Sequence, residues 1–323
     1  MKSIQWGILS TAQINQAVLP AMAGLEYTTP LAVASRSQRT ADAYAKEHGI
    51  DRSYGSYQAL LDDTQIDAIY ISLPNGLHHE WILKALQRGK HVLCEKSITT
   101  SLQQVLEVKA AAEKSGCLVM EGFMYRYHPF FQKILEYTTS DRIGAIQNIQ
   151  VSRAARQTDP SNIRLQPGLG PGCMGDVGCY CLNFCRTLMA SEPIGWQSSV
   201  RTNAQGVDME ALVKLVFAPA RTAQVFCSFT TNGSYATIIG AHGSLQIPQP
   251  FATTEGVWEF FYTPDDRRTA ESVQVNADRT GHWLEIEDFS RAILEDRAPY
   301  LSLQDSVGNL KILEDVVENG QPL

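Results

Sequence analysis

Apolar residues fall into two textures along the chain. In the first third, short runs that are apolar at nearly every position ("SIQWGIL", "PLAVAS", "AIYISLP", "HVLCE", "CLVMEGF") alternate with stretches in which apolar residues recur every three or four positions. Nearly continuous apolar runs predict strands buried on both faces, and the spaced stretches predict the helices that cover them, so this part reads as a doubly wound parallel sheet. The predicted helices lie at "AQINQAVLPAMAGL", interrupted near Pro20, at "RTADAYAKEHG", stopped by Gly49, at "HHEWILKALQRGK", and from Ser101 onward.

Beyond about Ile143 the runs shorten and alternate: "AIQNIQVSRAAR", "EALVKLVFA", "TAQVFCSFTT", "YATIIGA", "GSLQIP" and "GVWEFFYT", with turn signals such as "TNGS" and "APAR" between them. That texture predicts a large, mainly antiparallel sheet. Helices are expected at "CYCLNFCRTLMA" and "WLEIEDFSRAILED", and a last helix in "SLQDSVGNLKILEDVVENG" that packs back on the first domain. The expected organisation is a Rossmann domain over residues 1–122, and over 123–323 an α+β domain whose sheet has one open face. A chain of 323 residues suits two cores better than one.

Composition narrows the function. With 44% hydrophobic and 19% charged residues, a net charge of −7 and scattered basic residues, the chain reads as an ordinary globular protein without a nucleic-acid surface. No apolar run reaches membrane-spanning length and the start lacks signal-peptide architecture, so a cytoplasmic protein with no membrane partner is expected. Four of the seven cysteines (Cys173, Cys179, Cys181, Cys185) crowd together. Their C-x5-C-x-C-x3-C spacing fits neither zinc nor iron–sulfur sites, so they read as packing and no metal is expected.

In a doubly wound domain, phosphates sit at the N-terminus of the first helix. That places Ser10, Thr11, Ala12, Gln13 and Ile14 at a pyrophosphate, with Ser10, Ala12 and Asn15 at the positions where the dinucleotide fingerprint G-x-G-x-x-G/A has glycine or alanine. The loop alone reads equally as a plain tight turn. The second strand ends in Ser35, Arg36 and, shortly after, Arg39, with no acid at its tip. An acid there would take the ribose 2′-hydroxyl of NAD(H), whereas guanidinium groups suit the 2′-phosphate of NADP(H), the preferred cofactor, with NAD(H) as the alternative.

Four ordered motifs share the sheet's carboxyl edge or follow it: "SLPNGLHHE", "HVLCEKSITT", "EGFMYRYHP" and "GPGCMGDVGCYCLNF". Together they resemble the Gfo/Idh/MocA oxidoreductases over nearly the whole chain, in the branch of glucose–fructose oxidoreductase and dimeric dihydrodiol dehydrogenase. The resemblance implies that Glu95-Lys96 stands for the family's E-K-P, with Ser97 replacing the proline. It implies that Leu73, Pro74, Asn75 and His78 line the nicotinamide-ribose side with Glu95 and Lys96. It also matches Asp176-Val177-Gly178-Cys179-Tyr180 to the family's D-x-G-x-[HY]. The catalytic set so implied is Lys96, Tyr180 and Asp176. A phenol of ordinary pKa, about 10, is a poor base at neutral pH, and an ammonium beside it favours the phenolate. Asp176 would share a helix face with Tyr180 and orient the lysine or hold a substrate hydroxyl. Taken singly, Tyr180 reads as a core aromatic and Asp176 as an N-cap; only as a set do they read as catalytic. Ser97 predicts a looser lysine loop, Ser101 and Gln104 predict a capping box, and Arg126 and His128 predict structural roles.

The expected activity is NADP(H)-dependent hydride transfer at a hydroxyl or carbonyl carbon of a sugar, polyol or related cyclic alcohol. Rival expectations are a trans-dihydrodiol dehydrogenase and a non-enzymatic dinucleotide-binding sensor. The open sheet face predicts a homodimer or homotetramer.

Overall fold

Parallel strands β1 (Ile4–Leu9), β2 (Thr28–Ala34), β3 (Arg52–Tyr54), β4 (Ala68–Ile71), β5 (His91–Glu95) and β6 (Val119–Gly122) make the first sheet of the computed structural model, which describes residues 3–266 and 269–323. Their order, β3-β2-β1-β4-β5-β6, is the doubly wound order whose reversal beside β1 opens a crevice at the strand ends. Between them run α1 (Asn15–Gly24), α2 (Gln38–His48), α3 (Tyr57–Leu61), α4 (Asn75–Gln87) and α5 (Leu102–Ser115). Ile8, Leu9, Val33, Ile69, Tyr70 and Leu93 are wholly buried, as strands covered on both faces require.

Local signals explain most of these boundaries and correct others. Gly49 ends α2 in the left-handed region at φ 66°. Ser101 caps α5 by accepting from the Gln104 N–H at 3.3 Å. The expected reciprocal bond goes one residue further back, because the Gln104 side chain accepts from the Thr100 N–H. Pro20 does not interrupt α1: it is exposed and removes a single N–H, so the helix runs on through it. Strand β3 and helix α3 escape the sequence reading because a three-residue, half-buried edge strand carries too few positions for a pattern.

The second unit begins with α6 (Pro129–Thr139) and holds β7 (Ile146–Ala154), α7 (Cys179–Met189), β8 (Gly195–Thr202), β9 (Asp208–Phe217), β10 (Arg221–Ser228), β11 (Gly233–Gly240), β12 (Gly243–Ile247), β13 (Gly256–Pro264) and β14 (Glu271–Ala277). After α8 (Gly281–Leu294) and α9 (Leu303–Asn319), β15 (Gln321–Pro322) completes a nine-stranded sheet ordered β14-β13-β12-β11-β7-β10-β9-β8-β15. It is antiparallel except for the β7–β10 and β8–β15 pairs. The "TNGS" turn carries the chain from one side of β7 to the other, since β10 and β11 both pair with β7. One face of the sheet carries α7. The other exposes Leu212, Tyr235, Ile239 and Val257, each at least 41% accessible.

The two compact units are 1–123 with 282–307, and 124–281 with 308–323. Helix α8 therefore belongs almost wholly to the first unit, although it lies inside the 123–323 span read from the sequence as the second domain. Its aromatic residues pack on β1: the Trp6 indole donates to Ser290 Oγ at 3.3 Å and its ring stands 5.9 Å from Phe289. The start of α9 also groups with the first unit, where Gln304 accepts from Lys109 at 3.0 Å. Among the described residues no helix is long and apolar enough to cross a membrane.

Candidate active site

The loop after β1 shows how a chain without the glycine fingerprint makes the same turn. Ser10 takes φ 112°, a conformation that ordinarily asks for glycine. Side-chain bonds hold it there. Ser10 Oγ lies 2.9 Å from Ser72 Oγ and accepts from the Ala12 N–H at 3.1 Å. Asn15, wholly buried, donates to the Ser10 carbonyl at 2.9 Å and accepts from Ser72 Oγ at 2.6 Å. The residue at the third glycine position thus ties the loop together. Thr11, Ala12 and Ile14 are half-buried and Gln13 is exposed, and they lead into α1 with no acidic residue in its first turn and no side-chain cap. The Asn15, Gln16 and Ala17 N–H groups are turned onto the Ala12, Gln13 and Ile14 carbonyls, so what the start of α1 offers an anion is its positive dipole, with no acid opposing it, which fits a pyrophosphate.

At the tip of β2, Arg36 and Arg39 are exposed. Neither has a hydrogen-bonded or ion-paired carboxylate among the described residues. The Ser35 N–H is spent on the Tyr54 carbonyl at 3.0 Å. Two unneutralised guanidinium groups at this edge fit an adenosine ribose that carries a phosphate.

Lys96 follows β5 on a turn fixed from α4. Asn75 Nδ2 donates to the Ser97 carbonyl at 2.9 Å, and His78 Nδ1 stands 3.0 Å from the same oxygen while its Nε2 faces the Leu73 carbonyl at 2.7 Å. His78 is wholly buried, and burial holds its imidazole below the ordinary value, against the pull of the carbonyls. The proline-to-serine change therefore does not leave the lysine loop untethered: Ser97 is buried and its carbonyl accepts from Asn75, with His78 alongside. Pro74, half-buried, precedes the first residue of α4, and Leu73 is buried beneath it. Glu95 accepts from the Tyr70 hydroxyl, whose pKa burial and the Glu95 charge push well up. Behind this pair sits Glu285 of α8, buried, with neither carboxyl oxygen hydrogen-bonded among the described residues. Burial, then the Glu95 charge, drives its pKa well above the usual carboxylate range.

Asp176 and Tyr180 lie in the second unit. Met174–Gly178 form a π-helical turn that runs straight into α7. Asp208 anchors it by accepting from the Met174 N–H at 2.6 Å. Asp176 is not the N-cap of α7; that position is Gly178, and the Asp176 carboxylate accepts from Arg164 Nε at 2.8 Å. Tyr180 is buried among aromatic rings, 5.5 Å from Phe251 and 5.9 Å from Tyr125, and its hydroxyl donates to the Met124 sulfur at 3.6 Å. Arg126 and His128 have structural work: Arg126 donates to Asn183 at 3.2 Å, and His128 caps α6 and meets the Thr254 carbonyl at 2.9 Å.

Residues 4–123 match the family model described as an oxidoreductase family with an NAD-binding Rossmann fold, and residues 131–246 match the GFO/IDH/MocA C-terminal domain. Over 322 residues, 98% of both chains, the sequence is 34% identical to a D-xylose 1-dehydrogenase (NADP(+)) of Haloferax volcanii. The chain belongs to the Gfo/Idh/MocA oxidoreductases. It is an NAD(P)-dependent dehydrogenase or reductase. It is also 29% identical, over 97% of both chains, to a trans-1,2-dihydrobenzene-1,2-diol dehydrogenase of Xenopus laevis. A 3-ketoreductase from Actinomadura kijaniata, solved with NADP and TDP-benzene, superposes with a TM-score of 0.92 at 26% identity, covering 100% of this chain and 99% of that one.

Within this Gfo/Idh/MocA chain, the structure adds residues that the motifs do not announce. Ser72 and Asn15 shape the first loop. Arg164, on a short 3-10 turn, neutralises Asp176. Arg153, on β7, lays its guanidinium 4.2 Å from the centre of the Tyr180 ring and 5.0 Å from that of Phe251. Gln147, Ile149, Val151 and Arg153 alternate onto one face of β7, and a lone arginine near a strand end carries no signal of its own. The cysteines of α7 are buried, and burial pushes the Cys181 and Cys185 thiols up, as packing residues behave.

Proposed function

We propose that the protein is an NADP(H)-dependent oxidoreductase that moves a hydride between nicotinamide and a hydroxyl or carbonyl carbon of a sugar, polyol or related cyclic alcohol. The observation that carries the reading is whole-length similarity to an NADP(+)-named xylose dehydrogenase. The unneutralised Arg36 and Arg39 at the β2 tip support the choice of NADP(H), and the dipole of α1, with no acid in its first turn, supports a pyrophosphate there.

The nicotinamide, when bound, accepts or returns the hydride. In oxidation the carbinol C–H leaves with its electron pair, the hydroxyl proton goes to the Tyr180 phenolate, and a carbonyl forms. Lys96 supports the phenolate and hydrogen-bonds the substrate oxygen. Asp176, neutralised by Arg164, holds a substrate hydroxyl rather than a proton in flight.

Turnover tests the reading. NADP⁺ reduction is followed with a panel of aldoses, polyols and cyclic trans-diols, and NADPH oxidation with the matching keto compounds. Oxidation of sugars or polyols with NADP⁺ is expected. A preference for trans-dihydrodiols over every sugar would move the substrate class, and binding of NADPH with no turnover of any member would leave a sensor.

A further inference from the structure

Strand β7 places Arg153 on the sheet face that carries α7, in register with Ser234 of β11. Residues paired across an antiparallel ladder project to the same side, so both side chains share that face. Two things about this pair need an explanation. Among the described residues the Arg153 guanidinium has no hydrogen-bond acceptor and no carboxylate within ion-pair distance; its neighbours are the faces of Tyr180 and Phe251. Ser234 Oγ is buried and has no hydrogen-bond partner. A guanidinium carries five N–H donors, and a half-buried positive charge without an acceptor is costly unless something supplies one. Among the described residues nothing does. Asp176, the acid of this segment, is committed to Arg164 at 2.8 Å, and that pair is neutral.

We infer that Arg153 and Ser234 are a specificity subsite beside Tyr180 that takes a carboxylate, so that the substrate is a sugar acid or polyol acid rather than a neutral sugar. This rests on the reading of Tyr180 as the residue that handles the proton. The planar fork of arginine matches a planar carboxylate through two parallel N–H···O bonds, and a serine hydroxyl adds a third donor. Charge stoichiometry selects the same class. One unneutralised guanidinium matches a monoanion, whereas a phosphate dianion calls for a second free cation, and Arg164 is already spent. Stacking on Tyr180 and Phe251 holds the fork still, which is what recognition of a rigid two-oxygen group requires.

The test compares matched pairs that differ only by a carboxylate, D-glucuronate against D-glucose and D-gluconate against D-glucitol, with NADP⁺ and the intact protein. In the wild type, kcat/KM for the better acid is expected to exceed that of its neutral partner by about 10- to 100-fold, the range of a charge-assisted pair. Arg153→Gln should bring that ratio near one, and Arg153→Lys, a point charge without the fork, should keep part of it. Ser234→Ala should lower the ratio less, by about threefold to tenfold, and supplies the reading if Arg153→Gln does not fold. NADPH titration and thermal melting of each variant separate a lost subsite from a damaged fold. A wild type that uses the neutral member as well as the acid, or an Arg153→Gln variant that keeps the ratio, overturns the subsite while leaving the sugar oxidoreductase reading intact. If neither member of any pair is turned over, that broader reading is the one in trouble. The subsite is then read by calorimetric titration of glucuronate and gluconate into the NADP⁺-loaded protein: binding lost in Arg153→Gln supports it, and no binding to the wild type refutes it.

Discussion

We expect Arg36 to be the side chain that chooses between two cofactors. An exposed guanidinium with no acid paired to it among the described residues has little to do in the absence of a 2′-phosphate. Arg36→Ala should weaken NADPH binding by about 10- to 100-fold and leave NADH nearly unchanged, measured by fluorescence titration; equal losses for the two would count against the assignment. Lys96 and Tyr180 make a second residue-scale claim. If they handle one proton together, Tyr180→Phe and Lys96→Met should each slow single-turnover hydride transfer by about 10²–10⁴-fold. The double variant should then be little worse than the poorer single one, because residues acting as a unit are non-additive. Losses that multiplied would make them independent. Glu285 gives a pH prediction. Its carboxyl is raised by burial and by Glu95, so the folded chain binds a proton there that the unfolded chain has released. Stability therefore falls as pH climbs from the ordinary carboxylate range toward the raised value. Glu285→Gln removes this loss, so its melting temperature should exceed that of the wild type at about pH 8 and approach it at about pH 4. A gap of the same size at both ends would refute the account. The family was legible at this scale because the order and spacing of its motifs are specific; Arg153 and Glu285 were not, because a lone charged residue in a strand or helix reads as solvated until its burial is known.

At the scale of elements, legibility followed length. Strands with a full apolar run and helices with a clear stop, such as α2 ending at Gly49, were readable. Short edge pieces such as β3, and the polar strands β8 and β14, were not, because their burial patterns are mostly half-exposed. The π turn before α7 was also hidden: four-residue spacing of Asp176 and Tyr180 looks the same in either helix type, and only the backbone bond from the Cys179 N–H to the Met174 carbonyl, five residues back, distinguishes them. The capping box of α5 was half legible. Ser101 accepts the Gln104 N–H as a cap should, so Ser101→Ala should cost about 1 kcal/mol in denaturant unfolding. Gln104→Ala should cost less, because its side chain serves the Thr100 N–H outside the helix proper. An equal cost for both would show a full reciprocal box.

For the whole molecule, the change of texture near residue 143 separated a parallel sheet from an antiparallel one, and both sheets are present. What the pattern could not show is that α8 returns to the first unit, since an amphipathic helix does not name the sheet it covers. The open face of the second sheet follows from supply: few helices remain after residue 150, and they take one side. Leu212, Tyr235, Ile239 and Val257 lie on β9, β11 and β13 with the parity of the other side, and all are exposed. Single exposed apolar residues are ordinary, but several on one sheet face form a patch of the kind that is covered in solution. We expect a second copy of the chain to cover it, giving a dimer, or a tetramer if the pairs associate further. Burying an aliphatic side chain of this size contributes about 1.5–3 kcal/mol, so placing a charge at two of them should reverse the association. Light scattering on the purified protein at micromolar concentration should give the mass of two or four chains. Leu212→Asp combined with Ile239→Asp should give that of one, with NADPH binding retained because both changes lie outside the first unit. A wild-type monomer under those conditions would mean that this face meets solvent, or a partner other than the chain itself.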